Sequence, residues 1–223
     1  MSVNATARDF HGFTNEMSFA RLVLSSAIIE RMPNCTHDTL PARSAATPLV
    51  QHYLENIFVL YPFLNEIKIF SSLDAVYQDG GRYATPMDDW IIRLVLANAF
   101  ASLSRRRGDT QYRNAVRHAA FALKRAELVV QPGSMQGIQA ILLLAQYAML
   151  DPHHFNSWYL IGAAARAMVN LGLHQDSHIN PLARGPDVSL RRRVYHSVYA
   201  LDRLVSTWKV LSVHQFSNIT SDL

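Results

Sequence analysis

One cysteine, Cys35, in 223 residues leaves no partner for a disulfide within the chain and no set of thiolates for a multi-cysteine zinc site. An unpaired thiol fits a reducing compartment, so the chain reads as intracellular. Glycine is scarce, nine in all, and Gly80-Gly81 precedes no Lys-Ser or Lys-Thr pair, which excludes a phosphate-cradling loop. No Gly-x-Ser-x-Gly elbow offers a nucleophilic serine. The longest apolar stretch, Ile138 to Leu150, is interrupted by Gln139 and Gln146. It is too short to cross a bilayer, so it reads as a buried helix and no membrane partner is expected. Residues 1–16 are polar and carry no basic segment ahead of an apolar core, so no signal peptide is expected. The sequons at Asn4, Asn34 and Asn218 then read as chance matches. Alternation of apolar and polar residues nowhere persists long enough to indicate a sheet.

What is present is apolar residue in quantity. At 49% hydrophobic, the chain can bury a substantial core and is not disordered throughout. A net charge of +4 favours acidic partners slightly without establishing nucleic-acid binding. The basic charge is local: Arg105, Arg106, Arg107, Arg113, Arg117, Lys124 and Arg125 stand against only Asp109 and Glu127. Phosphate-binding patches interleave aromatics or glycines with cations. Here only Tyr112 and Phe121 intervene, and both suit a core, so the stretch reads as a solvated helix face. DNA is expected to be held weakly and non-specifically, if at all.

Helical spacing recurs along the chain, and the fold class it predicts is all-α: an irregular multi-helix domain built from packed antiparallel helix pairs. An amphipathic helix over Met17–Met32 ends at Pro33-Asn34, and the composition of 33–48, with three prolines, is that of a linker. The compact body is expected from Leu49. Further helices are predicted over Val50–Tyr61, Phe63–Val76, Trp90–Leu103 with Asp88 or Asp89 as cap, and Thr110–Val130. Ser134 caps the most apolar helix, Met135–Leu150. Its expected partner, Phe155–Leu171, has a small-residue face at Gly162, Ala163, Ala164 and Ala165 that would allow close approach. That pair is expected at the packing centre. Gly172 is placed as a left-handed helix stop, with Leu173 as the apolar residue after it. The last helix is predicted over Asp187–Val210, with Leu190, Val194, Val198, Leu201, Val205 and Trp208 as its stripe.

Candidate reactive groups are few. His153-His154 reads as an exposed helix start, because adjacent histidines on a helix diverge by about 100°. His174 and His178 would need Asp176 as a third metal ligand, in a loop rich in Pro and Gly. Cys35 lies in linker sequence, so a nucleophile pair of Cys35 with a distant histidine is not expected. No catalytic residue, metal site or cofactor is expected, and the chain does not read as an enzyme.

Two blocks of ordered residues are more specific. The first is Tyr53-Leu54-Glu55-Asn56-Ile57-Phe58-Val59-Leu60-Tyr61-Pro62-Phe63-Leu64-Asn65. The second holds Gln139-x-x-Leu142-Leu143-Leu144, then Trp158-x-Leu160-Ile161-Gly162-x-Ala164-x-Arg166, then Leu171-Gly172-Leu173-His174. It finishes with Arg191-Arg192-Arg193-x-Tyr195-x-Ser197-x-Tyr199-x-Leu201-Asp202-Arg203. In order and spacing these resemble the middle homology domain of fungal zinc-cluster transcription factors, the fungal-specific or xylanolytic-activator regulatory domain. The resemblance covers about Leu49 to Ser206.

The resemblance implies a nuclear regulatory domain that restrains or relays transcriptional activation, with other transcription regulators as partners and a small effector as a further one. It implies zinc only for the family's six-cysteine DNA-reading cluster, which these residues do not contain. The pattern departs at Gln175, where the family has arginine, while His174 and Asp176 match. It departs again after Ser206, where no Gly-Arg-Pro turn follows. The expected organisation is therefore residues 1–48 as tail, helix and linker, 49–206 as a partial regulatory domain, and 207–223 as a divergent tail. Trp158, Gly162, Gly172, His174, Asp176, Arg191, Arg192, Arg193, Tyr199, Asp202 and Arg203 are the family-motif residues carried over, in structural or regulatory roles. Trp158 and Gly162 read as core packing. Three arginines at a helix N-terminus oppose its dipole, so at least one is expected to find Asp202, Asp176 or a carbonyl at another helix end. The apolar set near Trp208 is too wide for one covered face, and self-association through that helix is expected. Two further readings remain open: a stand-alone helical interaction scaffold and a small-effector-binding domain.

Overall fold

The computed structural model describes residues 18–36, 39–175 and 188–220, with side chains of the last helix as far as residue 208. Among the described residues there are nine α-helices and no strand. They are α1 (Phe19–Ala27), α2 (Arg43–Asn56), α3 (Glu66–Tyr77), α4 (Pro86–Leu103), α5 (Thr110–Leu123), α6 (Ala126–Val129), α7 (Met135–Leu150), α8 (Ser157–Asn170) and α9 (Val188–Thr220). Short 3-10 turns follow α2 and α3.

Polar side chains start these helices by accepting the first free backbone N–H groups. Ser18, Asn65, Asp109, Ser134 and Asn156 do so for α1, α3, α5, α7 and α8. Thr85, rather than Asp88 or Asp89, caps α4: its hydroxyl accepts from Asp88 N, and the Asp88 carboxylate accepts from Thr85 N. The capping box recruits Asp88 as its third helical residue, which is why the acidic pair lies inside the helix. At the other end of α8, Gly172 has φ 64°. Its N–H bonds Val169 O, and Leu173 N–H bonds Met168 O, as expected for a glycine stop.

The other differences from the periodicity also have local causes. The first helix ends at Ala27 because the chain leaves it to bond elsewhere: Ile29 N–H donates to His154 O at 2.9 Å and Asn156 N–H to Ala27 O at 2.7 Å. Ile28 and Phe155 form an isolated antiparallel bridge there. His154 is consequently buried in a loop, not exposed at a helix start. The expected linker holds the first half of α2, with Pro48 inside the helix. Losing one helical bond to proline is offset by burial of Ala46, Val50 and Tyr53. The single helix predicted over Thr110–Val130 breaks at Lys124-Arg125, and Ala126, Val129 and Val130 turn into the core. The tail expected after residue 206 is helical as far as Thr220.

The centre of the packing is α4. Every residue from Trp90 to Phe100 is buried, and α2, α3, α5, α6 and α7 all pack on it. The helix pair expected at the centre, α7 and α8, does pack together, with α9 and α1 on the other faces of α8. Two of the large polar rings in the core are matched: Trp90 Nε1–H donates to Ala140 O at 3.2 Å, and Tyr53 O–H donates to Gln146 at 2.8 Å. Gln139 donates to Phe63 O at 2.7 Å. The two glutamines that interrupt the apolar stretch of α7 therefore tie it to the segments carrying the first motif block.

Candidate functional site

The motif residues fall on α8, its glycine stop and α9. Leu160, Ile161, Ala163 and Ala164 are buried on α8, whereas Trp158 and Gly162 are half-buried. Gly162 is not the point of close approach: an added Cβ there would meet only the Arg166 guanidinium, at 3.4 Å. The close approach in this region is at Gly137, where a Cβ would stand 2.1 Å from Gln131 O. His174 is exposed after the stop, and Asp176 lies outside the described residues.

On α9, Val194, Val198 and Leu201 form a fully buried stripe facing the rest of the body. Arg193 donates to Leu64 O at 3.2 Å, just ahead of α3, so one of the three arginines does reach a carbonyl at another helix end. The opposite side of α9 carries a ladder at i, i+4, i+8. The Tyr195 and Tyr199 rings stack at 6.3 Å, and the Arg203 guanidinium lies 5.8 Å from the Tyr199 ring centre. Asp202 pairs with its neighbour Arg203, and that pair is largely exposed rather than buried. Tyr199 is 54% exposed and Trp208 is 74% exposed. The structure thus brings Tyr199, Asp202 and Arg203 together on one outer face and leaves His174 and Trp158 elsewhere.

A second cluster was not found by motif. Asp89 accepts from Arg93 Nε at 2.7 Å and from Arg125 Nε at 3.5 Å. Both guanidiniums line a cavity of about 390 Å³ between the turn after α3 and the start of α4. The available signal was Arg93 itself, one cation in the apolar run Trp90–Phe100, four residues after an aspartate. Nearby, Asp88 takes bonds from Lys68 at 2.7 Å, Ser72 at 2.7 Å and Thr85. Burial pushes its carboxyl up, but these donors outweigh burial and hold it well below the usual carboxylate range. His118, which lies within the basic stretch, is fully buried with its ring stacked 5.6 Å from Phe100. Burial, then the Arg117 and Arg93 charges, push it down to about 3.

The basic stretch is mixed rather than wholly solvated. Arg105, Arg106, Arg107, Arg113, Lys124 and Arg125 are exposed, while Val116, His118 and Phe121 between them are buried. Among the described residues, no three His, Cys, Asp or Glu side chains are placed to hold a metal ion. With one cysteine, the chain does not fit the six-cysteine zinc cluster. No helix among them is long and apolar enough to cross a membrane.

Comparison with known proteins gives a family match. The fungal specific transcription factor domain matches residues 50–208. The chain is 26% identical over 163 residues to a positive regulator of purine utilization from Emericella nidulans, covering 61% of this chain and 15% of that protein. It is 25% identical over 178 residues to sorbicillinoid biosynthetic cluster transcription factor 2 of Penicillium rubens, covering 75% and 25%. It is 30% identical over 83 residues to pyrimidine pathway regulatory protein 1 of Saccharomyces cerevisiae, covering 37% and 9%. The chain spans at most a quarter of the length of these three relatives. No solved structure matches it.

Proposed function

The chain belongs to the fungal specific transcription factor domain family, and on that premise we propose that it is the helical regulatory part of a transcription regulator acting in the nucleus, with no catalytic chemistry of its own. The observation that carries this reading is that the matched residues, 50–208, run from α2 to α9 and so take in α4, the helices packed on it and the pair α8 and α9. The relatives named above are described as regulators or transcription factors, which supports it. Base reading and zinc binding are not assigned to these residues, because Cys35 is their one cysteine. The outer face of α9, with Tyr195, Tyr199 and Arg203, is proposed as the surface for other regulators or a second copy.

Joining the chain to an unrelated DNA-binding domain at a reporter promoter tests the reading. The expected result is a severalfold change in reporter output relative to that DNA-binding domain alone. Equal output from the two, with the fusion present at equal level in the nucleus, would overturn it.

A further inference from the structure

From the turn ahead of α5 we infer that Thr110 is a phosphorylation site for an arginine-directed protein kinase, and that Arg113 holds the phosphate once it is made. The acceptor is an exposed hydroxyl on the first residue of α5. Arg105 and Arg107 stand five and three residues before it, both exposed, with the exposed Arg106 between them. No other serine or threonine of the chain has arginine at both of these positions. A kinase groove lined with carboxylates reads such cations through their planar guanidinium forks.

The local structure leaves these groups within reach. Arg107 pairs with Glu30 at 3.2 Å, and both side chains are more than half exposed, so the pair is easily exchanged for another carboxylate. Asp109, the acid next to the acceptor, is turned back onto the turn. Its carboxylate accepts from Ser104 O–H at 3.1 Å, Arg105 N–H at 3.0 Å and Tyr112 N–H at 2.7 Å. It is therefore engaged by the backbone rather than set among the arginine side chains. Thr110 is the first helical residue, so its N–H lies outside the helical ladder. Releasing it into a kinase opens the end of one turn and leaves the buried face of α5, from Ala115 onward, in place.

The product has a holder already in position. Arg113, one turn on and exposed, donates from its guanidinium to Thr110 Oγ at 3.4 Å. A phosphate on that oxygen brings close to two negative charges to a cation beside it, at the helix end whose partial charge is positive. In the transfer, the bond from Thr110 Oγ to the γ-phosphorus of ATP forms as the bond from that phosphorus to the β–γ bridging oxygen breaks. The hydroxyl proton passes to the kinase's carboxylate base, and ADP leaves. The inference rests on the turn and not on the transcriptional reading, so a labelling result and a reporter result can fail separately.

Incubating the 223-residue chain with ATP and protein kinase B, a kinase that selects arginine at the third and fifth residues before its acceptor, tests it. Mass spectrometry of the digested chain should place phosphate on Thr110. Thr110→Ala should remove that label, and Thr110→Ser should restore it. Arg107→Gln should slow initial labelling by at least about tenfold, the factor that one lost charge-assisted hydrogen bond represents. It should leave the thermal midpoint unchanged, because the exposed pair with Glu30 contributes little to folding. In a phosphorus NMR titration of the labelled chain, the second ionisation of the phosphate should fall below its ordinary value, since the Arg113 cation favours the dianion, and Arg113→Gln should raise it again. No phosphate on the unchanged chain, phosphate only on other residues, undiminished labelling of Thr110→Ala or Arg107→Gln, or a phosphate that titrates alike with and without Arg113 would each overturn the assignment.

Discussion

Single residues carry the sharpest contrasts in this molecule. Gly137 and Gly162 both sit inside helices, yet only the first is wedged against backbone. Gly137→Ala is expected to destabilise by about 1–3 kcal/mol, because the Gln131 carbonyl must move. Gly162→Ala is expected to be neutral or to stabilise by up to about 1 kcal/mol, from better helix propensity over a flexible neighbour. Thermal unfolding followed by circular dichroism separates the two. Sequence periodicity assigned the close contact to Gly162 because three alanines follow it. The signal at Gly137 is only that it stands three residues after a serine cap, and nothing in the sequence says that Gln131 O lies across from it.

His118 gives a pH prediction. Neither ring nitrogen has a hydrogen-bond partner among the described residues, and the groups facing it, Arg117 and Arg93, are cations. Its folded value, about 3, lies below the ordinary 6.5, so the unfolded chain binds the proton more readily. Stability tied to the neutral ring is therefore complete above pH 6.5 and is lost as pH falls toward 3. His118→Phe keeps a ring against Phe100 and removes the titration. Its midpoint should exceed that of the unchanged chain, and the gap should widen by the equivalent of a few kcal/mol between pH 7 and pH 4. A constant gap would mean the ring is protonated in the folded state as readily as in the unfolded one.

At the level of elements, the helices were legible and their joints were not. Ser134, Gly172 and the stripe Val194, Val198, Leu201 act as their spacing predicts, because caps, stops and stripes are local. The joints depend on distant partners: α1 stops where His154 offers a carbonyl, and α2 tolerates Pro48 because Val50 and Tyr53 are buried. The same split holds for the candidate site. The ladder on α9 could be read from the order of its residues, whereas the pairing of Asp89 with Arg125 spans 36 positions and has no motif. On α9 the exposed Trp208 and Tyr199 lead to an association prediction. Size-exclusion chromatography with light scattering should show a dimer or larger species, and Trp208→Ser with Tyr199→Ser should shift it to monomer. A monomer at every concentration for the unchanged chain would remove α9 as a self-contact.

For the molecule as a whole, the isolated chain is expected to show no site-specific DNA binding. Its exposed arginines at 105–107 and 113 permit attachment that weakens steeply with salt. A gel-shift competition tests this: a preference for one sequence that survives excess random DNA at moderate salt contradicts it. The composition placed the chain among helical, core-forming proteins correctly. It could not show that α4 rather than α7 and α8 would be central, since both stretches are strongly apolar and only the contacts rank them.

The bridge between Ile28 and Phe155 also dictates when things happen as the chain folds. Glu30 and His154, joined beside it, are 124 positions apart. Closing a loop of that length costs about 4 kcal/mol of chain entropy beyond a constant, so this contact has to follow the assembly of what lies between. On the ribosome, α1 is made before α8 and completes its docking only once α8 has left the tunnel. Val23→Ala on the buried side of α1 should accordingly speed unfolding and leave the refolding rate nearly unchanged in stopped-flow measurements.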